Sequence, residues 1–288
     1  MDTLHAAAEQ IWLDTQSQYP ELSLEILPQT DSTNTQLMSR GRAGHTTPTL
    51  LIAERQTAGR GRQGRPWQAQ AGDSLTFSLG LPLQLDAVPG GGSALSLAVG
   101  LALAEGLDAG LRRLADASDD DTPLVHLKWP NDLWWQGRKL GGILIEATTS
   151  PGLPAHLRWV VIGVGLNLRP LPEPLLAHAS LQEASPHPLS AGDVLGWIGA
   201  PLLRAVKAFE QDGFAPLQTA YALRDALAGQ AVSLWEGVAT PALQGPPSHT
   251  GQSLGVDAQG ALLVHTDTGL LRWTTGDVSV RLSDSLPT

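Results

Sequence analysis

Arginines threaded through glycines are the first sign of chemistry in this chain. Residues 54–67 read Glu-Arg-Gln-Thr-Ala-Gly-Arg-Gly-Arg-Gln-Gly-Arg-Pro-Trp, so Gly59, Gly61 and Gly64 fall in GxGxxG spacing among Arg55, Arg60, Arg62 and Arg65. Glycine lets a backbone bend and approach a ligand closely, and guanidinium offers forked donors matched to phosphate and carboxylate. A dinucleotide-binding turn is excluded, because its glycines must open a crossover helix. Here Pro66 and Trp67 follow at once, and a strand-like run from Leu75 to Leu81 begins too soon to leave room for one. The segment reads as a loop able to close around an anion, or as a solvated basic turn. Trp67 reads as a core anchor or as the wall of a small apolar ligand site.

Lysine is scarce. Of 18 basic residues, fifteen are arginine and only Lys128, Lys139 and Lys207 are lysine. Where arginine is the default cation, a retained lysine points to a need for lysine, and two of the three sit close together. Lys128 belongs to His126-Leu127-Lys128-Trp129-Pro130-Asn131-Asp132-Leu133, where a strand ends before Pro130 and Asn131 and Asp132 stand exposed at a turn. Asn-Asp after proline is an ordinary turn dipeptide; Asp132 could also hold Mg²⁺, which favours one or two carboxylates plus phosphate oxygens. Lys139 opens a strand with Gly141 and Gly142 beside it, either as a surface lysine or against a ligand lying close to the backbone.

Two further clusters carry a structural and a binding reading. Ser32-Thr33-Asn34 suits a helix N-cap or the capture of a small polar head group. Gly163-Val164-Gly165-Leu166-Asn167 suits a β-bulge or a strand that lets a ligand approach, with Asn167 as a polar contact. The eight histidines show no paired spacing for zinc, no serine sits in a GxSxG elbow, and there is no cysteine. Metalloprotease, α/β-hydrolase, thiolate-metal and cysteine-nucleophile chemistries thereby lose their basis.

The elements that must position these residues are legible in outline. Residues 3–18 predict an amphipathic helix with Leu4, Ala7, Ala8, Ile11 and Trp12 on one face, followed by a strand over Leu24–Leu27 and a helix start at Asp31-Ser32-Thr33-Asn34. Strands are expected at Thr49–Ala53 and Leu75–Leu81, flanking the arginine loop. Ser93 is expected to cap a long apolar helix running toward Ala115. Strands follow at 124–128, 139–147 and 157–168, with short links that favour antiparallel neighbours. Helices are expected at 193–209, kinked or interrupted by Pro201, and at 216–227. Residues 231–282 are short strands with turn signals at 257–260 and 267–269, the texture of a small β-barrel. The expectation is an α/β (α+β) chain: a catalytic domain over 1–230, with a mixed, largely antiparallel sheet and packed helices, and a small C-terminal domain over 231–288.

Composition bounds the partners. A formal charge of −10 and a pI near 5.1 disfavour wholesale nucleic-acid binding. The N-terminus carries His5, Glu9 and Asp14 in place of a signal peptide. The apolar stretch Leu95–Leu107 is shorter than the roughly 20 residues a bilayer span takes and reads as a buried helix. The expectation is a cytoplasmic protein with no membrane partner.

Taken in order, Asp31-Ser32-Thr33-Asn34, Glu54 to Trp67, Lys128-Trp129-Pro130-Asn131-Asp132, Arg138-Lys139-Leu140-Gly141-Gly142-Ile143-Leu144 and Gly163-Val164-Gly165-Leu166-Asn167 resemble the motif series of biotin protein ligases. The resemblance covers nearly the whole chain, and the C-terminal β segment resembles that family's SH3-like domain. It implies activation of biotin by ATP to biotinyl-5′-AMP, then transfer to a lysine of a biotin carboxyl carrier protein. By resemblance, Ser32, Thr33, Asn34, Gln56, Gly59, Arg60, Trp67, Lys139, Gly142, Gly163 and Gly165 bind biotin. Arg60, Arg62, Arg65, Asn131, Lys139 and Asn167 bind ATP or the adenylate. Lys139, Arg62 and Asp132 take catalytic roles, with Asp132 as the expected Mg²⁺ ligand. Some family members carry an N-terminal winged helix and repress transcription, but only about thirty residues precede Asp31, so the form without a DNA-binding domain is expected. A lipoate or octanoate ligase and a biotin-responsive regulator are the alternatives. Either a monomer or a homodimer is compatible with the sequence, and Pro66 stands where a basic residue can occur in the family.

Overall fold

The computed structural model describes residues 3–67, 71–116, 121–170, 178–236, 245–274 and 278–283. Helix α1 (Thr3–Thr15) leads to strand β1 (Ser23–Leu27), helix α2 (Thr33–Arg42) and strand β2 (Thr49–Ala53). Strand β3 (Ser74–Leu83) and helix α3 (Leu95–Leu114) follow. Strands β4 (His126–Lys128), β5 (Asp132–Trp135), β6 (Arg138–Thr148) and β7 (Arg158–Asn167) come next, then helices α4 (Ala191–Asp212) and α5 (Gln218–Ala222). The chain ends in β8 (Ala231–Glu236), β9 (His249–Val256), β10 (Leu262–Thr266), β11 (Gly269–Trp273) and β12 (Val278–Leu282).

The first sheet has the order β1-β2-β3-β7-β6-β5-β4. Only β1 and β2 run parallel, joined by α2 as a crossover, and the other five pairings are antiparallel. Strands β2, β3 and β7 are buried almost throughout because both faces are covered. On one face Leu37 and Met38 of α2 pack with Leu51, Trp159 and Val161; on the other, Leu50, Ile52, Phe77 and Ile162 join the main core with α1, α3 and α4. Double coverage explains why these strands read as continuous apolar runs. The second sheet, β11-β10-β9-β8-β12, is antiparallel throughout. Its inward residues Val232, Leu234, Leu262, Val264, Val278 and Val280 belong to the same continuous core as the first sheet.

Several elements differ from the sequence reading. Asp132 does not stand in an exposed turn: it begins β5, which pairs with both β4 and β6, while Asn131 does lie in the turn before it, and both residues are half-buried. Ser93 does not cap α3; it lies in a short 3₁₀ turn, Gly92–Ala94, and Ala94 is the cap. Trp12 is 39% exposed and stands off the buried face of α1. The apolar segment Gly92–Leu114 is 23 residues, long and apolar enough to cross a membrane, but 83% of its most apolar window is buried within the protein, as befits a core helix. Pro201 does not interrupt α4, whose Ile198, Leu202 and Leu203 are fully packed on either side of it. The expected helix over 216–227 shrinks to α5, because the following residues leave the helix to cover the edge of β4. Leu127 donates to the Arg224 carbonyl (2.8 Å) and Ala226 donates to the Leu127 carbonyl (2.9 Å).

Candidate active site

A cavity of about 540 Å³ opens where β3, β6 and β7 meet the arginine loop, the β4–β5 turn and β12. Its polar end is built on the start of α2. Ser32 is the N-cap, its hydroxyl accepting from Thr35 N at 3.5 Å. The Gln56 carboxamide oxygen accepts from Thr33 N (2.7 Å) and lies 3.2 Å from Thr33 Oγ1, which ties the helix start to the strand running into the arginine loop. Asn34 donates to Leu144 O and to Glu146 Oε2 (3.3 and 3.1 Å) and accepts from Ser78 Oγ (2.6 Å).

The glycines of β7 serve these side chains. A Cβ on Gly163 would lie 2.0 Å from Asn34 Oδ1, and one on Gly165 would lie 2.4 Å from Trp67 Cε2. The space above each glycine therefore holds a protein side chain, Asn34 over Gly163 and the Trp67 indole over Gly165. No bulge occurs there, since both residues keep unbroken register with β3 and β6. Gly142 differs: a Cβ there would face Lys139 Nζ at 3.4 Å and Asp132 Oδ1 at 3.5 Å.

The other end of the cavity is cationic. Lys139 Nζ donates to Asp132 Oδ1 at 2.6 Å, so the lysine is held by the facing strand. Arg62 donates to Asn131 Oδ1 (3.1 Å), while Asn131 Nδ2 donates to Ile143 O (2.7 Å), fixing the asparagine and aiming its oxygen at the loop. Arg60 is ion-paired with Glu146 at 3.0 Å. Lys128 lies over the Trp134 ring, 4.9 Å from its centroid. Burial pulls the Lys128 ammonium below its ordinary value; Asp132 opposes that, and Lys139, Arg281 and Arg65 add to it. Cations gathered around Lys128 weaken its hold on its proton and favour an anionic ligand between them.

The cavity walls include Ser32, Thr33, Asn34, Gln56, Arg60, Arg62, Arg65, Trp67, Asn131, Asp132, Lys139, Gly142, Gly163 and Gly165. Two expected residues are not in its walls. Gly59 packs beneath the loop, where a Cβ would meet the Trp67 carbonyl at 2.4 Å. Asn167 is buried and its amide donates to Ala179 O at 3.0 Å. The loop forms a short turn over Arg62–Gly64, with no helix for a dinucleotide. Sequence reasoning did not select Lys128, Ser78, Glu146 or Arg281 as site residues. Lysine scarcity was a signal for Lys128; Arg281 comes from the second sheet, where nothing local announces it.

Residues 26–167 match the Biotin/lipoate A/B protein ligase family, and residues 242–281 match the Biotin protein ligase C terminal domain. Within that class, the chain is 34% identical over 269 residues to the Bifunctional ligase/repressor BirA of Escherichia coli (strain K12), covering 91% of this chain and 75% of the relative. It is 30% identical over 251 residues to the Biotin--[acetyl-CoA-carboxylase] ligase of Paracoccus denitrificans, covering 85% and 95%. The structure of biotin protein ligase from Aquifex aeolicus in complex with biotin and ATP superposes with a TM-score of 0.66 at 26% identity, over 91% of this chain and 99% of that one. The chain belongs to the biotin protein ligases.

Proposed function

We propose that this protein activates biotin with ATP and passes the biotinyl group to a lysine of a carboxylase carrier protein. The observation that carries the reading is one continuous cavity whose ends match the two halves of the intermediate: a neutral hydrogen-bonding end at Ser32, Thr33 and Gln56, an indole wall at Trp67, and a cationic end at Arg60, Arg62, Lys128 and Lys139. A ureido head suits the first, an aliphatic chain the second, a phosphoryl group the third. In the first step a carboxylate oxygen attacks the α-phosphorus of ATP and the bond to pyrophosphate breaks. Two anions must meet, so fixed cations at that point lower the barrier. Lys139, oriented by Asp132, is placed to bridge them, and Arg62, oriented by Asn131, to hold the phosphoryl oxygens. In the second step the acceptor amine attacks the acyl carbon, AMP leaves, and the amine proton passes to solvent.

Among the described residues no three His, Asp or Glu side chains gather into a metal cage. Mg²⁺ carried in on ATP phosphates would find one carboxylate oxygen on Asp132, and would supply positive charge against the leaving pyrophosphate. The net charge of −10 supports a protein partner over DNA, and we place the activity in the cytoplasm.

Lys139→Ala should abolish biotin-dependent ATP–pyrophosphate exchange while leaving the circular dichroism spectrum and melting temperature near wild type; near-normal exchange would sink the assignment. Octanoate or lipoate supporting exchange in the wild type better than biotin would transfer the reading to the sister ligases.

A further inference from the structure

The hydrogen bonds beneath the neutral end of the cavity have a fixed direction, and Glu146 fixes it. Asn34 Nδ2 lies 3.1 Å from the Glu146 carboxylate and 3.3 Å from Leu144 O, both of which only accept. The amide must therefore turn its NH₂ toward them and its oxygen toward Ser78. That oxygen can only accept, so Ser78 Oγ, at 2.6 Å, spends its single proton there. Ser78 Oγ is also 2.6 Å from Thr33 Oγ1 and has no second proton, so the single Thr33 proton goes to Ser78, and Gln56 Oε1, 3.2 Å from Thr33 Oγ1, is served by the Thr33 backbone N–H at 2.7 Å. Thr33 and Asn34 reach the cavity wall, and Asn34, Ser78 and Thr33 are each at least 96% buried. With its proton turned inward, Thr33 offers a ligand lone pairs only. Arg60 holds the other carboxylate oxygen of Glu146 at 3.0 Å, on the far side of the relay.

We infer that Glu146 is a positioning residue that sets the polarity of the head-group pocket through Asn34, Ser78 and Thr33, so that the pocket selects head groups bearing N–H donors. This rests on the biotin reading above, in which the ureido N–H groups meet Thr33. Glu146→Gln keeps the shape but gives the end of the relay a donor. Asn34 can then turn over, Ser78 can donate to Thr33, and the Thr33 proton is released to the cavity or to Gln56 Oε1, 3.2 Å away, either of which changes what the head-group pocket offers a ligand. Ser78→Ala cuts the relay at its middle and frees the same proton.

The test is binding of biotin and of biotinol, the alcohol that keeps the ureido head and lacks the carboxylate, by calorimetry without ATP. Both variants should bind both ligands about tenfold more weakly than wild type, the cost of misdirecting one buried hydrogen bond. The double variant should lose no more than either single one, because the two act on one chain. Wild-type affinity in Glu146→Gln overturns the inference. So does a loss confined to biotin, which would assign the effect to Arg60 and the carboxylate. Thermal melts accompany each variant, and if Ser78→Ala does not fold, biotinol binding by Glu146→Gln decides. A wild-type protein that binds neither ligand overturns the biotin reading itself, and the relay with it.

Discussion

Gly165 and Trp67 show how closely the site depends on single atoms. The indole lies where a Cβ would sit, so Gly165→Ala must push Trp67 off β7 and into the cavity. The expected outcome is biotin affinity weakened at least tenfold with a stability loss of about 1–3 kcal/mol, typical of overpacking; a tight-binding, normally melting variant would show that the indole can move without cost. At this scale much of the site was readable. Arg60, Arg62, Asn131, Asp132 and Lys139 stood out because scarce or clustered side chains sat in motifs, and all of them are in the cavity wall. Ser78 and Glu146 were not readable. Each is an ordinary strand residue whose partner lies 44 or 112 positions away, and only strand register brings them to Asn34. Gly163 and Gly165 were readable as places of close approach, but what approaches them is protein.

At the scale of elements, the segment after α5 joins the two sheets by satisfying the outer edge of β4, and a buried ion pair locks it there. Arg224 donates to Asp108 at 2.6 Å and to Val125 O at 3.0 Å, and Asp108 also accepts from Leu124 N and Val125 N. Arg224→Ala strands a carboxylate that is 1% exposed and should cost about 3–5 kcal/mol, read from denaturant unfolding. Asp225, next in line, makes a pH-dependent contribution. Burial raises its carboxyl from 3.8 to about 6, against the lowering effect of hydrogen bonds from Leu227 and Ala228. The folded form thus holds a proton that the unfolded form has lost between those values, so stability falls as pH rises through that window and the penalty is complete above it. Asp225→Asn should therefore be roughly 3 kcal/mol more stable than wild type at pH 7.5, with the gain vanishing by pH 4. Melting temperatures across that range check it. The sequence concealed this segment because residues 216–227 have helical composition. The unpaired edge of β4 overrides that propensity, just as pairing on both sides draws Asp132 out of the Pro130-Asn131 turn and into β5.

At the scale of the whole molecule, the change of texture near residue 230 coincides with the start of the second sheet at Ala231. Texture does not show how the two sheets are coupled. Val232, Leu234, Leu262 and Val280 lie in one hydrophobic cluster with Leu97, Leu127 and Trp129, and the Trp129 indole donates to Gly260 O at 3.1 Å across the junction. The same junction shapes the cavity, since Arg281 and its β12 neighbours complete the wall that Lys128 and Lys139 begin. Shared core of this kind makes separate unfolding costly, because either sheet alone would expose the apolar face it buries against the other. Scanning calorimetry should therefore give a single transition with equal calorimetric and van't Hoff enthalpies. Trp129→Ala, which removes the largest buried side chain at the junction, should lower that transition by a stability loss of about 3–5 kcal/mol and weaken ATP binding with it. Two resolved transitions, or a Trp129→Ala protein whose ATP affinity survives the loss of stability, would show that the sheets fold apart and that the cavity needs only the first.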